Sequence, residues 1–410
     1  MVVGAGIAGI CAAVRAARAG LSVCLVESFP YVGGMATGGM VSPFMKYHVK
    51  GIPLVKGIFS EIQDIMRSNG KMIDNGFSAE AFRFASEKLL EKAGVEVLTD
   101  HCCISVRRES EYIKDITIER KGKRKSLSAS FFIDTSGDAV IAHLARLPLA
   151  VSAKQQAMTL FFRMRNIDFQ RAVAEVRRFP DNFFPWSSKT VHPGHILSVA
   201  GYYEQVRLAQ MKDEFPKDVS YIFYTSLPEP GTASFNCVNL RGYNGADTTD
   251  IIRAREEGLS QIRAIEKLLI RSASGFENTE VDKIADRVGV RETRRAIGEY
   301  VMNGNDIRSC RKFPDAVARG CYGIDIHGQE DEKNVMEDIP EGEYYEIPAR
   351  TLIMKGMKNL LTAGRCLSST REGQAALRIM PTCAATGEAA GKMAAEAHIT
   401  GKGLREICKV

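Results

Sequence analysis

Gly4, Gly6 and Gly9 stand in the spacing Gly-x-Gly-x-x-Gly within Val2-Val3-Gly4-Ala5-Gly6-Ile7-Ala8-Gly9-Ile10, a pattern suited to holding a phosphate anion. The valines before the first glycine read as a strand, and the alanine-rich stretch after the last, as far as Ala19, reads as a helix. Gly4 permits a sharp turn, Gly6 has no side chain to keep a pyrophosphate off the backbone, and Gly9 lets the helix lie close to the strand. Ile7 and Ala8, at the start of the helix, offer unpaired N–H groups and the positive end of its dipole. A short apolar run at 21–26 then ends on Glu27, whose carboxylate is placed to accept hydrogen bonds from a ribose. Glycines also mark ordinary turns. Strand, glycine turn, helix, second strand and terminal acid together read as one βαβ unit for a dinucleotide.

A second glycine-rich loop, Ser28-Phe29-Pro30-Tyr31-Val32-Gly33-Gly34-Met35-Ala36-Thr37-Gly38-Gly39, follows Glu27 directly. A nicotinamide domain does not need it. FAD is longer, and its ribityl and flavin parts need further backbone N–H groups, so Ser28, Gly33, Gly34, Met35, Ala36 and Thr37 join the expected cofactor residues; a flexible surface loop is the plainer reading of the same glycines. The pair of loops resembles the FAD-dependent oxidoreductases of the glutathione-reductase-like superfamily. The continuation Gly39-Met40-Val41-Ser42-Pro43-Phe44-Met45 is similar to one branch of it, the FAD-dependent oxidoreductase family. The resemblance implies FAD as cofactor and extends to a third loop, Phe131-Phe132-Ile133-Asp134-Thr135-Ser136-Gly137-Asp138-Ala139, which in that family closes over the FAD. Ser136, Gly137 and Asp138 are its expected contacts, with Asp138 alternatively a helix N-cap. Cys103, at the start of a β-meander, is placed with them.

The end of the chain returns to the cofactor. Leu360-Leu361-Thr362-Ala363-Gly364-Arg365 reads as the last strand of a parallel sheet, with Gly364 allowing close approach and Arg365 either compensating phosphate charge or held structurally. After a loop, Leu377-Arg378-Ile379-Met380-Pro381-Thr382 opens a helix of small residues, with Pro381 in its first turn. In the resembled family this helix points its N-terminus, here Met380 and Thr382, at the flavin, where negative charge develops on reduction.

Four residues are candidates for the chemistry. In Asp286-Arg287-Val288-Gly289-Val290-Arg291-Glu292-Thr293-Arg294-Arg295, Arg291 and Arg294 are expected to clamp a carboxylate or phosphate; ion pairing with Glu292 and Glu299 is the alternative. In Gly323-Ile324-Asp325-Ile326-His327-Gly328, alternation puts Asp325 and His327 on one side of an extended segment, where His327 can act as acid or base tuned by Asp325; a hydrogen-bonded structural histidine fits equally well. Arg378, just before the flavin-facing helix, is placed to contact substrate or flavin. Both middle strings also resemble the family.

These residues need a scaffold. Helical spacing predicts helices over 53–69, with Ile58, Ile62, Ile65 and Met66 inward, and over 78–94, capped by Ser78 and with Phe82, Phe84, Leu89 and Leu90 as its apolar residues. A strand at 95–98 and a meander over 103–106, 113–119 and 125–133 follow, with a basic tip at 120–125 read as a solvated hairpin end. From about residue 150 the grammar shifts to β-like runs at 158–164 and 219–224, aromatics around Phe183-Phe184-Pro185-Trp186, and a long helix at 251–272. The expected fold is α/β, a Rossmann-like FAD-binding domain with a parallel sheet and β-meander, plus an α+β substrate domain built on an antiparallel sheet. The FAD domain is expected to be discontinuous, 1–150 and 346–410, with the substrate domain at 151–345. No second Gly-x-Gly-x-x-Gly occurs, so a separate nicotinamide domain is not expected.

The 410 residues suffice for two cores, and 45% hydrophobic with 25% charged residues is ordinary for globular chains. A net charge of +6 does not call for nucleic acid or a membrane surface. There is no long apolar run for a membrane span, the apolar start reads as a strand rather than a signal peptide, and the ten cysteines form no CxxC pair or metal-ligand spacing. Reduced thiols in a cytoplasmic protein are the expectation. The function expected is transfer of a hydride or electron pair between a small organic substrate and FAD. The rivals are a flavin monooxygenase and a non-catalytic electron relay. The sequence leaves open the substrate, the electron donor or acceptor, flavin attachment and oligomeric state.

Overall fold

A computed structural model describes residues 1–187, 194–329 and 332–408. Five short parallel strands form the first sheet, in the order Leu360–Thr362, Phe132–Asp134, Val2–Val3, Cys24–Val26, Glu96–Leu98. Strands from the two ends of the chain thus lie only two positions apart. The strands Val2–Val3 and Phe132–Asp134 are buried along their length, as parallel strands covered on both faces are. The helix Ile7–Arg18 and the C-terminal helix Met380–Thr400 pack against each other. Small residues set their distance. A Cβ on Gly387 would meet the Ala8 carbonyl oxygen at 2.0 Å, and one on Gly391 would meet that of Ala12 at 2.3 Å. Two glycines four residues apart therefore lay backbone on backbone, which the alanine-glycine composition of 383–397 anticipates.

The helix Ala79–Lys92 is capped as expected, with Ser78 Oγ accepting from Ala81 N at 3.2 Å. Other boundaries differ. The helix expected from residue 53 begins at Ile58, because Ile52–Pro53 pairs with His48–Val49 and Gly57 takes a left-handed φ of 65°. Its first N–H is capped from outside by Glu388 of the C-terminal helix, at 3.1 Å. Of the apolar residues expected in the helix Ala79–Lys92, Phe82, Leu89 and Leu90 are buried, whereas Phe84 is 53% exposed. The meander strand expected over 125–133 is two strands: Lys123–Ser128 closes the antiparallel sheet with Cys102–Glu109 and Tyr112–Arg120, and Phe132–Asp134 belongs to the parallel sheet. The loop expected before Arg378 holds a helix, Arg371–Leu377, capped by Thr370 Oγ1 accepting from Gly373 N.

The second large sheet is antiparallel, in the order Ser198–Gly201, Ile222–Ser226, Ala233–Phe235, Phe162–Arg165, Glu280–Ile284. Of the run at 158–164 only the last part is continuous strand; Met158 and Thr159 make isolated bridges to Leu240 and Gly289. Phe162 stacks on Phe235 at 4.8 Å, and the helix Thr248–Ser272, capped by Asp247, covers this core with Ala254, Ile262, Ile265 and Leu269. Met302, Ile307, Phe313, Cys321, Ile324 and Ile326, well before residue 346, pack into the core of the parallel-sheet unit.

Candidate cofactor cleft and reaction cluster

The carboxyl ends of the parallel strands open onto a cleft of about 330 Å³, the place where open α/β sheets bind ligands. All the glycine loops meet there. Gly4, Gly6, Ile7 and Ala8, Glu27 and Ser28, Gly33 to Ala36, Cys103, Ser136 to Asp138, Gly364, Arg365, Arg378 and Met380 all line it. Gly9, Thr37 and Thr382 stand behind the wall. Gly9 is a packing glycine, since its Cβ would lie 1.8 Å from the Gly4 carbonyl oxygen. Thr37 Oγ1 donates to Val32 O at 2.9 Å and fixes the second loop, and Thr382 is buried within the first turn of its helix.

The first two loops are joined directly. Gly33 N donates to Ala5 O at 2.7 Å, and a Cβ on Gly34 would meet Gly6 Cα at 2.9 Å. Gly4 has φ +100°, and a side chain there would strike the Ser136 backbone at 2.6 Å, so the first and third loops touch as well. Glu27 is buried, with one oxygen accepting from Ala5 N at 2.7 Å and the other from Phe29 N at 2.9 Å. It organises the loops through hydrogen bonds the sequence reading did not foresee, and a carboxylate retains further lone pairs toward the cleft.

Asp138 is not a helix cap. The helix Val140–Leu144 has Ala139 at its N-cap, and Asp138 Oδ1 instead accepts from Arg365 Nη2 at 2.7 Å and from Thr293 Oγ1 at 2.6 Å. The loop is shaped by Asp134, a fully buried carboxylate that accepts from Ser136 Oγ at 2.6 Å and Ile141 N at 2.8 Å. Burial raises its pKa against the pull of these donors.

Whether these walls suit FAD can be tested on the residues themselves. A Cβ on Gly6 would meet nothing within 4 Å, so that position faces free space in the cleft. Arg365 Nη1 and Arg378 Nε are buried without a partner, donors that an anion or a carbonyl oxygen of a cofactor would satisfy. The helix Met380–Thr400 begins at the cleft with no side chain capping it, leaving its first N–H groups and dipole for a group with negative charge. The free space at Gly6, the unpartnered guanidinium donors and the uncapped helix start fit an anionic dinucleotide such as FAD.

Arg287 is the cleft residue that sequence reasoning passed over, although it lies inside a string already singled out. Its guanidinium stands 4.0 Å from the centroid of Phe29, the backbone N–H of Arg287 donates to Gly38 O at 2.9 Å, and no carboxylate lies within ion-pair distance of the guanidinium among the described residues. Burial lowers its pKa; Glu27 opposes and Arg365 adds to the effect. Arg287 and Arg365 thus both line the cleft, and of the two only Arg365 has an ion pair among the described residues, with Asp138. Replacing Arg287 with Met is expected to weaken FAD binding by about tenfold or more, measured by titrating reconstituted apoprotein with FAD and following flavin fluorescence; Arg287→Lys should lose less.

Beyond Arg378 lies a second cluster. Arg378 Nη2 donates to Asp325 O at 3.0 Å and stands 3.5 Å from its Oδ2. Asp325 Oδ2 also accepts from Tyr322 Oη at 3.0 Å, and Oδ1 lies 3.4 Å from His327 Nε2. The expected alternation is thus present, with Ile324–Ile326 as a strand. Arg291 Nη1 donates to Ala157 O at 2.6 Å, and Ala157 N to His327 O at 3.0 Å. Two amides tie the backbone together: Gln156 Oε1 accepts from His327 N at 3.2 Å, and Gln374 Nε2 donates to Arg291 O at 2.7 Å. Arg291, Asp325, His327 and Arg378 are therefore one assembly. Arg294 is not part of it: its Nε donates to Asp138 O at 2.9 Å, holding the third cofactor loop. Arg295 is buried against Glu292, the ion pairing that the sequence left as an alternative.

Burial lowers the His327 pKa to about 4, with Arg291 adding and Asp325 opposing. Burial alone would raise Asp325, but His327, Arg378 and Arg291 outweigh it and hold the carboxylate below its usual range. At neutral pH the pair is a neutral imidazole beside an ionised carboxylate. Burial brings Arg291 down to about 10, the charge of Arg378 adding; it remains a cation. Between about pH 6.5 and pH 4 the unfolded chain protonates this histidine and the folded chain does not, so acidification over that window destabilises the fold. The depressed Asp325 adds a loss only below its unfolded value of 3.8. The unfolding midpoint of the native chain should fall more steeply than that of His327→Gln between pH 6.5 and 4, with the curves parallel above pH 7, as thermal melts across pH would show.

Comparison with known proteins agrees with this geometry. A family model described as FAD dependent oxidoreductase matches residues 1–408. No curated protein matches the chain. Among solved structures, a geranylgeranyl bacteriochlorophyll reductase-like protein from Thermoplasma acidophilum is 15% identical, covering 98% of this chain and 78% of its own, with a TM-score of 0.52. A flavoprotein/dehydrogenase from Cytophaga hutchinsonii is 14% identical over 98% and 78% with a TM-score of 0.48, and a myxobacterial chondrochloren halogenase is 15% identical over 100% and 76% with a TM-score of 0.49. The first shows a shared fold. Among the described residues no helix is long and apolar enough to cross a membrane.

Proposed function

Because this chain belongs to the FAD dependent oxidoreductase family, we propose that it moves a hydride or an electron pair between a small organic substrate and FAD, in the manner of a dehydrogenase or reductase. The observation that carries this reading is Arg378, which lines the cofactor cleft and also bonds Asp325 of the His327 cluster. Cofactor space and reaction cluster are thus neighbours across one side chain.

Bound FAD would supply the two-electron chemistry; the chain's residues bind, orient and handle protons. Gly4, Gly6 and the first turn at Ile7 and Ala8 would take the pyrophosphate, with Arg287 and Arg365 balancing its charge. Met380, opening the C-terminal helix, would present N–H groups to the flavin end. His327, neutral and held by Asp325, would take up or release the substrate proton, and Arg291 with Arg378 would hold a substrate anion. Residues 1–150 and 346–410 are assigned to the cofactor unit and 151–345 to the substrate unit, with Met302 to Ile326 of the latter adding to the core of the former. The paired glycine loops support placing the chain in the glutathione-reductase-like superfamily.

An anaerobic screen of metabolites against the FAD-loaded protein tests the reading. Substrate-dependent bleaching of the flavin without oxygen supports it. Bleaching that needs a separate reductant, followed by an oxygen adduct and substrate oxygenation in air, would instead make the protein a monooxygenase. Tight FAD binding without bleaching by any metabolite would make it an electron relay.

A further inference from the structure

The reaction cluster has one positive charge too many. Arg291 and Arg378 are both cations, His327 is neutral at physiological pH, and Asp325 is the acid they share. That single carboxylate already serves Tyr322, His327 and Arg378. Arg291 makes a hydrogen bond to the Ala157 carbonyl and no ion pair within 4 Å among the described residues, and Arg378 Nε is buried without a partner. A half-buried cation pair with one anion between it is costly unless something else neutralises it. Both guanidinium charges are close enough to act on Asp325 and hold its carboxylate below the usual range, and Arg378 also borders the cofactor cleft.

We infer that the substrate is an organic monocarboxylate, its carboxylate bridging Arg291 and Arg378 beside His327. The choice of a monoanion follows from the charge count. Two cations and one carboxylate leave an excess of one, which a single carboxylate cancels; a phosphate dianion would overshoot and meet Asp325 at close range. Planar guanidinium donors also match a carboxylate edge to edge. The neutral imidazole lies in the same assembly, so the proton it handles belongs to an atom close to that carboxylate. This inference rests on the proposed reaction for its direction, but the binding site stands or falls separately.

The experiment titrates the FAD-loaded protein with benzoate, benzamide and phenyl phosphate, following the flavin absorbance and the unfolding midpoint. Benzoate should bind at least about tenfold more tightly than benzamide, its neutral isostere, and than phenyl phosphate. Arg291→Gln should lose at least about tenfold in benzoate affinity and Arg291→Lys recover part of it, with FAD retained, since Arg291 does not line the cofactor cleft. Equal binding of benzoate and benzamide by the native chain would overturn the inference even if the variants failed to fold, as would unchanged benzoate affinity in Arg291→Gln. If neutral metabolites bleach the flavin and carboxylates do not, the inference fails while the oxidoreductase reading holds. If benzoate binds through Arg291 but nothing bleaches the flavin, the reverse is true.

Discussion

His327→Gln is expected to slow substrate-dependent flavin reduction by about 10²–10⁴-fold, the range that a positioned acid or base contributes, while leaving FAD bound. The separation is geometric. His327 does not line the cofactor cleft, whereas Arg378, which does, keeps its bond to the Asp325 carbonyl when the imidazole is gone. A purely structural histidine would behave differently: its loss would lower stability and FAD content together and leave the residual rate's pH dependence unchanged. Stopped-flow reduction under anaerobic conditions, with the FAD-to-protein ratio measured on the same samples, distinguishes the two. In the native enzyme the rate should hold from neutral pH down toward the low pKa of His327, about 4, instead of falling near the ordinary histidine value. Replacing Arg291, whose charge helps depress that pKa, should move the fall to higher pH.

The second large effect contrasts two glycines. At Gly387 an added methyl would lie 2.0 Å from the Ala8 carbonyl oxygen and 2.7 Å from Ala8 Cα, backbone atoms that cannot rotate away. Gly387→Ala should therefore prise the C-terminal helix from the first helix, at the upper end of the ~1–3 kcal/mol typical of overpacking or beyond it. FAD should be lost with stability, since Ala8 and Met380 both line the cleft. At Gly6 the methyl meets nothing, and φ is an ordinary −68°. Gly6→Ala should leave the melting of apoprotein nearly unchanged yet weaken FAD binding by about tenfold or more, because the space it fills is where the cofactor must approach the backbone. Thermal melts of apoprotein and FAD titrations on both variants would show this crossing of effects. Loss of stability in Gly6→Ala with normal FAD binding would contradict it.

The sequence carried the glycine loops well because each encodes its own geometry: Gly4 needs its positive φ and Gly34 its close approach to Gly6 wherever the rest of the chain goes. The Ser78 cap is legible for the same local reason, while the helix expected from 251 starts at Thr248 behind an Asp247 cap that the reading passed over. What could not be read depends on partners far along the chain. Arg294 and Arg291 look alike in a run of arginines, yet one turns to the Asp138 carbonyl and the other to Ala157. Arg287 acquires its place from Phe29 and Gly38, and the helix Ile58–Ser68 takes its cap from Glu388. The strand Phe132–Asp134 looked continuous with the meander because its apolar residues do; only pairing with Val2–Val3 and Leu360–Thr362 separates it. Thr370 and Glu372 are a readable start signal for the helix Arg371–Leu377, but its brevity and the Gly373 within it hid the helical period.

The central claim is that both ends of the chain build one cradle for FAD. Hydrogen exchange measured by mass spectrometry on apoprotein, before and after FAD is added, tests it most directly. The account expects simultaneous slowing in peptides covering Gly4 to Gly9, Gly33 to Ala36, Ser136 to Asp138, and Gly364 to Thr382. Binding of FAD that protects the first of these segments and leaves the C-terminal one exchanging as before would contradict it.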